Sequence, residues 1–147
     1  MPEKNKLKVV ADTNLLISSA IVSKSLPDKL IKSWLKQSFI LLISQEQLEE
    51  MKDVSQREKV KKRPLFIKRI VELIQNIEFV AELVKPTPEK DLPIRSRDSD
   101  DDYLLACALG GEVDYLVTGD QDLLVLNENP ALGKLKIITA KEFLSLV

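Results

Sequence analysis

Short apolar runs alternate along the chain with longer stretches in which apolar residues recur every three or four positions. Lys8-Val9-Val10-Ala11 is a β-branched run that stops at Asp12, and it reads as a buried strand. Asp12-Thr13-Asn14 leads into Leu15-Leu16-Ile17-Ser18, a helix, and Leu26-Pro27-Asp28 opens a second one with Pro at an early position. Leu30, Ile31, Trp34 and Leu35 have helical spacing and are assigned to packing, not to base stacking. Phe39 to Ile43 is a second strand. Ser44-Gln45-Glu46-Gln47 fits a capping box, and the helix after it carries Leu48, Met51 and Val54 on one side. Pro64-Leu65-Phe66-Ile67 opens a longer amphipathic helix with Ile67, Ile70, Val71 and Ile74 as its stripe.

The second half repeats the pattern. Phe79 to Val84 reads as a third strand, and the prolines from Pro86 to Pro93 mark a loop too rigid for any helix. Arg97-Asp98-Ser99-Asp100-Asp101-Asp102-Tyr103 then runs into Leu104-Leu105-Ala106-Cys107-Ala108-Leu109, a helix with Ser99 as its N-cap and Gly110-Gly111 at its end. Asp114 to Thr118 is a fourth strand, followed by Gly119-Asp120-Gln121-Asp122-Leu123-Leu124. Leu135 to Ile138 is a last strand, and Thr139-Ala140-Lys141-Glu142 is a second capping box that starts the terminal helix. Strands alternating with helices predict an α/β fold, with a mainly parallel sheet between helical layers. The 147 residues suit one domain spanning 1–147.

The acidic stretch needs a separate explanation. Carboxylates favour the first turn of a helix, where its dipole is positive. Direction is another matter. At ~100° per residue, Leu104, Leu105, Ala108 and Leu109 make one stripe, Asp101 projects into its middle, and Asp100 and Asp102 lie to either side. A buried ionised carboxylate is costly unless it is paired or binds a metal. Asp100 and Asp102 therefore read as first-turn acids, and Asp98 as an acid held in the loop with Arg97 as its charge partner.

Two further acids end strands. Asp12 and Asp120 both follow a strand's carboxyl end, where open α/β sheets place ligand-binding groups, although Asp12 also suits a helix cap. Asp101 begins the helix before the Asp120 strand, so order along the chain leaves open whether it reaches the same edge. Glu49 points away from the Leu48-Met51-Val54 side, whereas Glu50 borders it; a solvated Glu-Glu pair is the plain alternative.

Composition narrows the chemistry. Histidine is absent, which removes histidine bases, triads and histidine metal sites. Any metal is then a hard ion bound by oxygen. The single cysteine, Cys107, reads as a core thiol, and a cytoplasmic setting fits. Met1-Pro2-Glu3-Lys4 has no signal-peptide apolar region, and no apolar run is long enough to span a bilayer. The net charge of −1 gives no global attraction to polyanions. The one basic stretch, Lys52 to Arg63, reads either as a solvated face or as a phosphate-contacting patch carried by Lys59, Lys61, Lys62 and Arg63.

Were Asp12, Glu50, Asp101 and Asp120 to converge, each pair ~4 Å apart would repel by about 4 kcal/mol at an effective dielectric of ~20. Such a cluster calls for cations or protonation. Mg²⁺ suits the composition, and an acid cluster holding one or two such ions can activate water and stabilise an in-line phosphoryl displacement.

Taken together, Asp12-Thr13-Asn14 after a strand, the helix acid Glu50, Arg97 to Asp102, and Val117 to Leu124 resemble a PIN domain, and within it the VapC-like toxins of toxin–antitoxin systems. The resemblance covers nearly the whole chain in order. It implies a three-layer α/β/α sandwich, a Mg²⁺- or Mn²⁺-dependent ribonuclease site, and acids gathered in one pocket. By position, Asp12, Glu50, Asp101 and Asp120 match the acidic set. Asp98 and Asp122 match supporting acids for a second metal or its waters, and Asn14 and Thr118 match polar positions behind the ligands. Ser99 stands where the family often has Pro, and Asp102 where it often has Asn; neither change removes a ligand candidate. RNA as substrate, a cognate antitoxin and a homodimer are further implications.

Two other functions compete with a metal-dependent ribonuclease. One is a non-catalytic PIN-like RNA-binding or adaptor module, in which the acids serve capping and solubility. The other is a phosphatase or phosphoacceptor with Asp12 as nucleophile; the second acid that haloacid-dehalogenase-type enzymes need two residues on is here Asn14.

Overall fold

The computed structural model describes residues 6–147. Met1-Pro2-Glu3-Lys4, on which the reading of the N-terminus rests, lies outside the described residues. Five parallel strands form one sheet in the order β3-β2-β1-β4-β5: β1 (Lys8–Ala11), β2 (Ile40–Ile43), β3 (Glu82–Leu83), β4 (Tyr115–Val117) and β5 (Lys136–Ile138). The helices are α1 (Thr13–Ile21), α2 (Leu26–Leu35), α3 (Gln45–Ser55), α4 (Glu58–Lys61), α5 (Pro64–Val80), α6 (Asp102–Gly110), α7 (Gln121–Leu124) and α8 (Ala140–Leu144).

Period-two alternation in the strands builds two cores. Val9, Ala11, Leu41, Ile43 and Val117 face one side, where they meet Leu16 of α1, Trp34 of α2, Met51 of α3, Ile70 of α5 and Phe143 of α8. Val10, Leu42, Leu116 and Ile137 face the other side, against Leu104, Leu105 and Cys107 of α6 and Leu123 of α7. The result is an α/β/α sandwich, as the alternation predicts. Both expected capping boxes form, at Ser44–Gln47 and Thr139–Glu142.

Four local expectations need correction. The third strand is only Glu82–Leu83, because α5 continues to Val80; its buried residues Ile70, Leu73, Ile74 and Ile77 keep an i, i+3, i+4, i+7 stripe that carries the helix past Phe79. Val71 lies outside that stripe and is exposed, as is Leu35 at the end of α2. The proline loop does hold one 3-10 turn, Glu89–Asp91, which needs only a single i→i+3 bond. Ser99 is not the cap of α6: the Asp98 carboxylate accepts the Asp100 N–H (3.0 Å) and starts a 3-10 turn, Ser99–Asp101, ahead of α6.

β1 is the middle of the sheet, and the chain leaves it toward β2 on one side and pairs it with β4 on the other. The carboxyl ends of β1 and β4 thus form a topological switch point, the usual place for a site in an open parallel sheet. The Asp12 N–H donates to the Val117 carbonyl (2.9 Å), which extends the β1–β4 ladder by one bond and fixes Asp12 at that edge.

Candidate metal centre

Asp12 is almost completely buried, and both of its oxygens are held. The Asn14 N–H donates to Oδ1 (3.0 Å), and the Thr118 hydroxyl donates to Oδ2 (2.7 Å). Thr118 is fully buried and in turn accepts the Asp120 N–H (3.0 Å), so one hydroxyl links the acids that end β1 and β4. Asn14 reaches Asp12 through its backbone, and its side chain faces outward. The Asp120 carboxylate accepts the Asp122 N–H (2.8 Å) and caps α7.

Asp101 closes the group from the other core. It sits at the end of the 3-10 turn, which the Pro86–Pro93 loop and the segment after it carry to this edge. Burial comes first, then Asp120, Asp98 and Asp12, in pushing its carboxyl up to about 7. Its Oδ2 is buried and has no hydrogen-bond partner. One oxygen each of Asp98, Asp101 and Asp122 lie within 4.8 Å of one another. Asp101 thus stands among Asp12, Asp98, Asp120 and Asp122 at this edge of the sheet.

Several expectations shift. Asp102 is not a first-turn acid facing water: it is buried, accepts the Ser96 N–H (2.8 Å) and lies 3.6 Å from the Arg95 guanidinium, which fastens the loop to α6. Arg97 pairs with Asp122 (3.0 Å) and not with Asp98. Because α6 is buried on nearly every side, its apolar stripe could not single out a direction for Asp101. Glu50 is half-buried and Glu49 exposed, but Glu50 faces the Tyr103 hydroxyl and is not among the charges acting on Asp101. Lys59 and Lys61 are exposed on α4, and Lys62 and Arg63 are exposed in the turn before α5; Arg63 stacks on Phe66 at 5.1 Å, and none of the four pairs with an acid of the site.

Sequence reasoning passed over Tyr103, Thr13 and the second role of Gln47. The Tyr103 and Thr13 hydroxyls are 2.9 Å apart, and the Gln47 amide donates to the Ala11 carbonyl (2.9 Å) and to Thr13 Oγ1 (3.4 Å). Burial, with Glu50 and Asp12 opposite, raises the Tyr103 phenol above its ordinary range, although the Thr13 hydrogen bond works the other way. The one signal in the sequence is the place of Gln47 four and seven positions before Met51 and Val54, on the apolar side of α3, where a polar group needs partners.

The residues present fit a hard divalent ion. Asp98, Asp101 and Asp122 bring carboxylate oxygens together, Asp12 and Asp120 act on Asp101 beside them, one guanidinium pairs with Asp122, and a buried oxygen of Asp101 lacks any donor. A PIN-domain family model matches residues 8–122, most of the chain and every acid just described, so this chain belongs to the PIN domain family. PIN domains are generally metal-dependent nucleases. An uncharacterized protein of Methanocaldococcus jannaschii is similar over 147 residues at 28% identity, covering 97% of this chain and 92% of the relative. Among the described residues, no helix is long and apolar enough to cross a membrane.

Proposed function

We propose that this chain is a Mg²⁺- or Mn²⁺-dependent endoribonuclease that hydrolyses RNA phosphodiester bonds. Asp12, Asp101 and Asp120 would hold the ion, with Asp98 and Asp122 supporting a second ion or its waters. The observation that carries the proposal is the orphaned Oδ2 of Asp101. Local structure accounts for other acids: Asp12, Asp98 and Asp120 each accept an N–H two residues on, and that favours the adaptor reading. No cap or ion pair uses the buried oxygen of Asp101, and leaving it unpaired costs stability that folding alone would have no reason to retain.

Bound there, the cation supplies Lewis-acid polarisation of a phosphodiester and offsets the charge that develops at phosphorus. Thr118 aims Asp12 by donating to its Oδ2. Arg97 at the rim gives an incoming phosphate a counter-charge. The exposed Lys59, Lys61, Lys62 and Arg63 are assigned to the RNA backbone further from the reacting bond. By resemblance, the protein acts in the cytoplasm as the toxin of a toxin–antitoxin pair, with a cognate antitoxin and self-association as homodimer.

The test is cleavage of structured and unstructured RNAs with Mg²⁺, Mn²⁺ or EDTA. Wild type should cut only with metal, and Asp12→Asn and Asp101→Asn should not cut. Equal cleavage by all three proteins would assign the activity to a contaminant. No cleavage by wild type on any RNA, together with RNA binding, would favour the adaptor reading.

A further inference from the structure

A chain of polar groups crosses the interior beside the acid pocket and ends at the Tyr103 hydroxyl, which Glu50 faces. The Cys107 thiol lies 3.6 Å from Gln47 Oε1, which also accepts the Ser44 N–H (3.4 Å). That fixes the amide so that Nε2 is the donor toward the Ala11 carbonyl and Thr13 Oγ1. Thr13 is buried, and Gln47 occupies one of its lone pairs. Among the described residues, the other hydrogen-bond partner of the Thr13 hydroxyl is the Tyr103 oxygen, 2.9 Å away, the acceptor that lets Thr13 donate its own proton. With Thr13 as donor, the Tyr103 proton points away from Thr13 and is free for Glu50, which faces the phenol.

The placement of these groups matters. Thr13 adjoins Asp12, Tyr103 follows Asp101 by two residues, and Gln47 and Glu50 lie one turn apart on α3. Three segments that carry acids therefore meet at a single phenol. We propose that Tyr103 is a positioning residue: its hydroxyl, oriented by Gln47 and Thr13, holds the Glu50 carboxylate toward the pocket formed by Asp12 and Asp101. The inference rests on the metal-site reading above and adds to it a residue that no acid pattern in the sequence marks.

The experiment is a double-mutant cycle on the full chain, read as Mn²⁺ affinity by calorimetry and as kcat and KM on RNA. Tyr103→Phe keeps the ring and removes one hydroxyl. It should weaken Mn²⁺ binding and lower kcat by about tenfold, the scale of one hydrogen bond to a charged group. KM should change by less than about twofold, because the RNA is held elsewhere. Added to Glu50→Gln, the same change should have almost no further effect, since the charge it orients is already gone. Should Tyr103→Phe not fold, Thr13→Val, which removes the proton that orients Tyr103, gives the same cycle. Additive effects of Tyr103→Phe and Glu50→Gln, or an unchanged Mn²⁺ affinity in Tyr103→Phe, would overturn the inference while leaving the metal site standing. Coupling in Mn²⁺ affinity without RNA cleavage would sink the ribonuclease reading and keep the positioning role. A wild type that binds no Mn²⁺ would end both.

Discussion

Replacing Asp101 by Asn should make the metal-free protein more stable at pH 8, although it removes a residue of the proposed centre. The folded protein raises the Asp101 carboxyl from 3.8 to about 7, through burial and the neighbouring Asp120, Asp98 and Asp12. The folded state thus binds the proton more tightly than the unfolded chain does. Stability linked to this group is complete below pH 4 and is lost as the pH rises toward 7. At ~1.36 kcal/mol per pH unit, the ceiling on that loss is about 4 kcal/mol. Solvent around the exposed Asp98 and the half-exposed Asp120 screens the repulsion, and roughly 1–2 kcal/mol is a realistic size. For a chain of this length that corresponds to about 2–8 °C in Tm. Asn has the shape of the protonated acid without its charge. In EDTA, calorimetric scans should show Asp101→Asn and wild type within about 1 °C at pH 4, and the variant melting several degrees higher at pH 8. Adding Mn²⁺ at pH 8 should raise wild type and leave the variant almost unmoved. A variant less stable than wild type at pH 8 in EDTA would refute the reasoning, because Asp101 would then be a stabilising charge with a partner.

Other outcomes follow from single contacts. Thr118→Val removes the 2.7 Å hydrogen bond to Asp12 and should cost about 1.5–3 kcal/mol in denaturant unfolding at pH 7. Asp102→Ala leaves the buried Ser96 N–H without an acceptor; it should cost about 1–3 kcal/mol yet leave Mn²⁺ affinity within about twofold of wild type, which separates loop fastening from metal holding. Gly110→Ala would set a Cβ against the Lys85 carbonyl and 2.7 Å from the Thr87 nitrogen, where the loop docks on α6, and should lower stability by about 1–3 kcal/mol. Reversing the charge of Lys59, Lys62 and Arg63 together should weaken RNA binding and flatten its salt dependence, with Mn²⁺ affinity unchanged.

The sheet was legible because its strands are short and buried on both faces, so β1, β2, β4 and β5 stand out as apolar runs that end at polar residues. Capping boxes were equally clear, since their partners lie three residues apart. The failures have a common cause. β3 is a two-residue edge strand with both residues exposed, and such a strand has no apolar pattern to detect. A helical wheel singles out Asp101, yet the residue lies in a 3-10 turn ahead of a helix buried on nearly every side; its orphaned oxygen is a tertiary fact. Sequence neighbours are the only partners a sequence offers, and they place Asp102 in water and Arg97 beside Asp98. Their actual partners, Ser96 and Asp122, depend on how the loop returns and on where β4 ends. Tyr103 and Gln47 resemble ordinary packing and capping residues until three distant segments are brought together.

The most direct measurement of the central claim is anomalous diffraction from crystals soaked in Mn²⁺. The account places a manganese peak within coordination distance of Asp101 and Asp12 or Asp120, with Asp98 and Asp122 bordering it or a second ion. An empty pocket at saturating Mn²⁺, or a peak confined to acids outside it, would contradict the account.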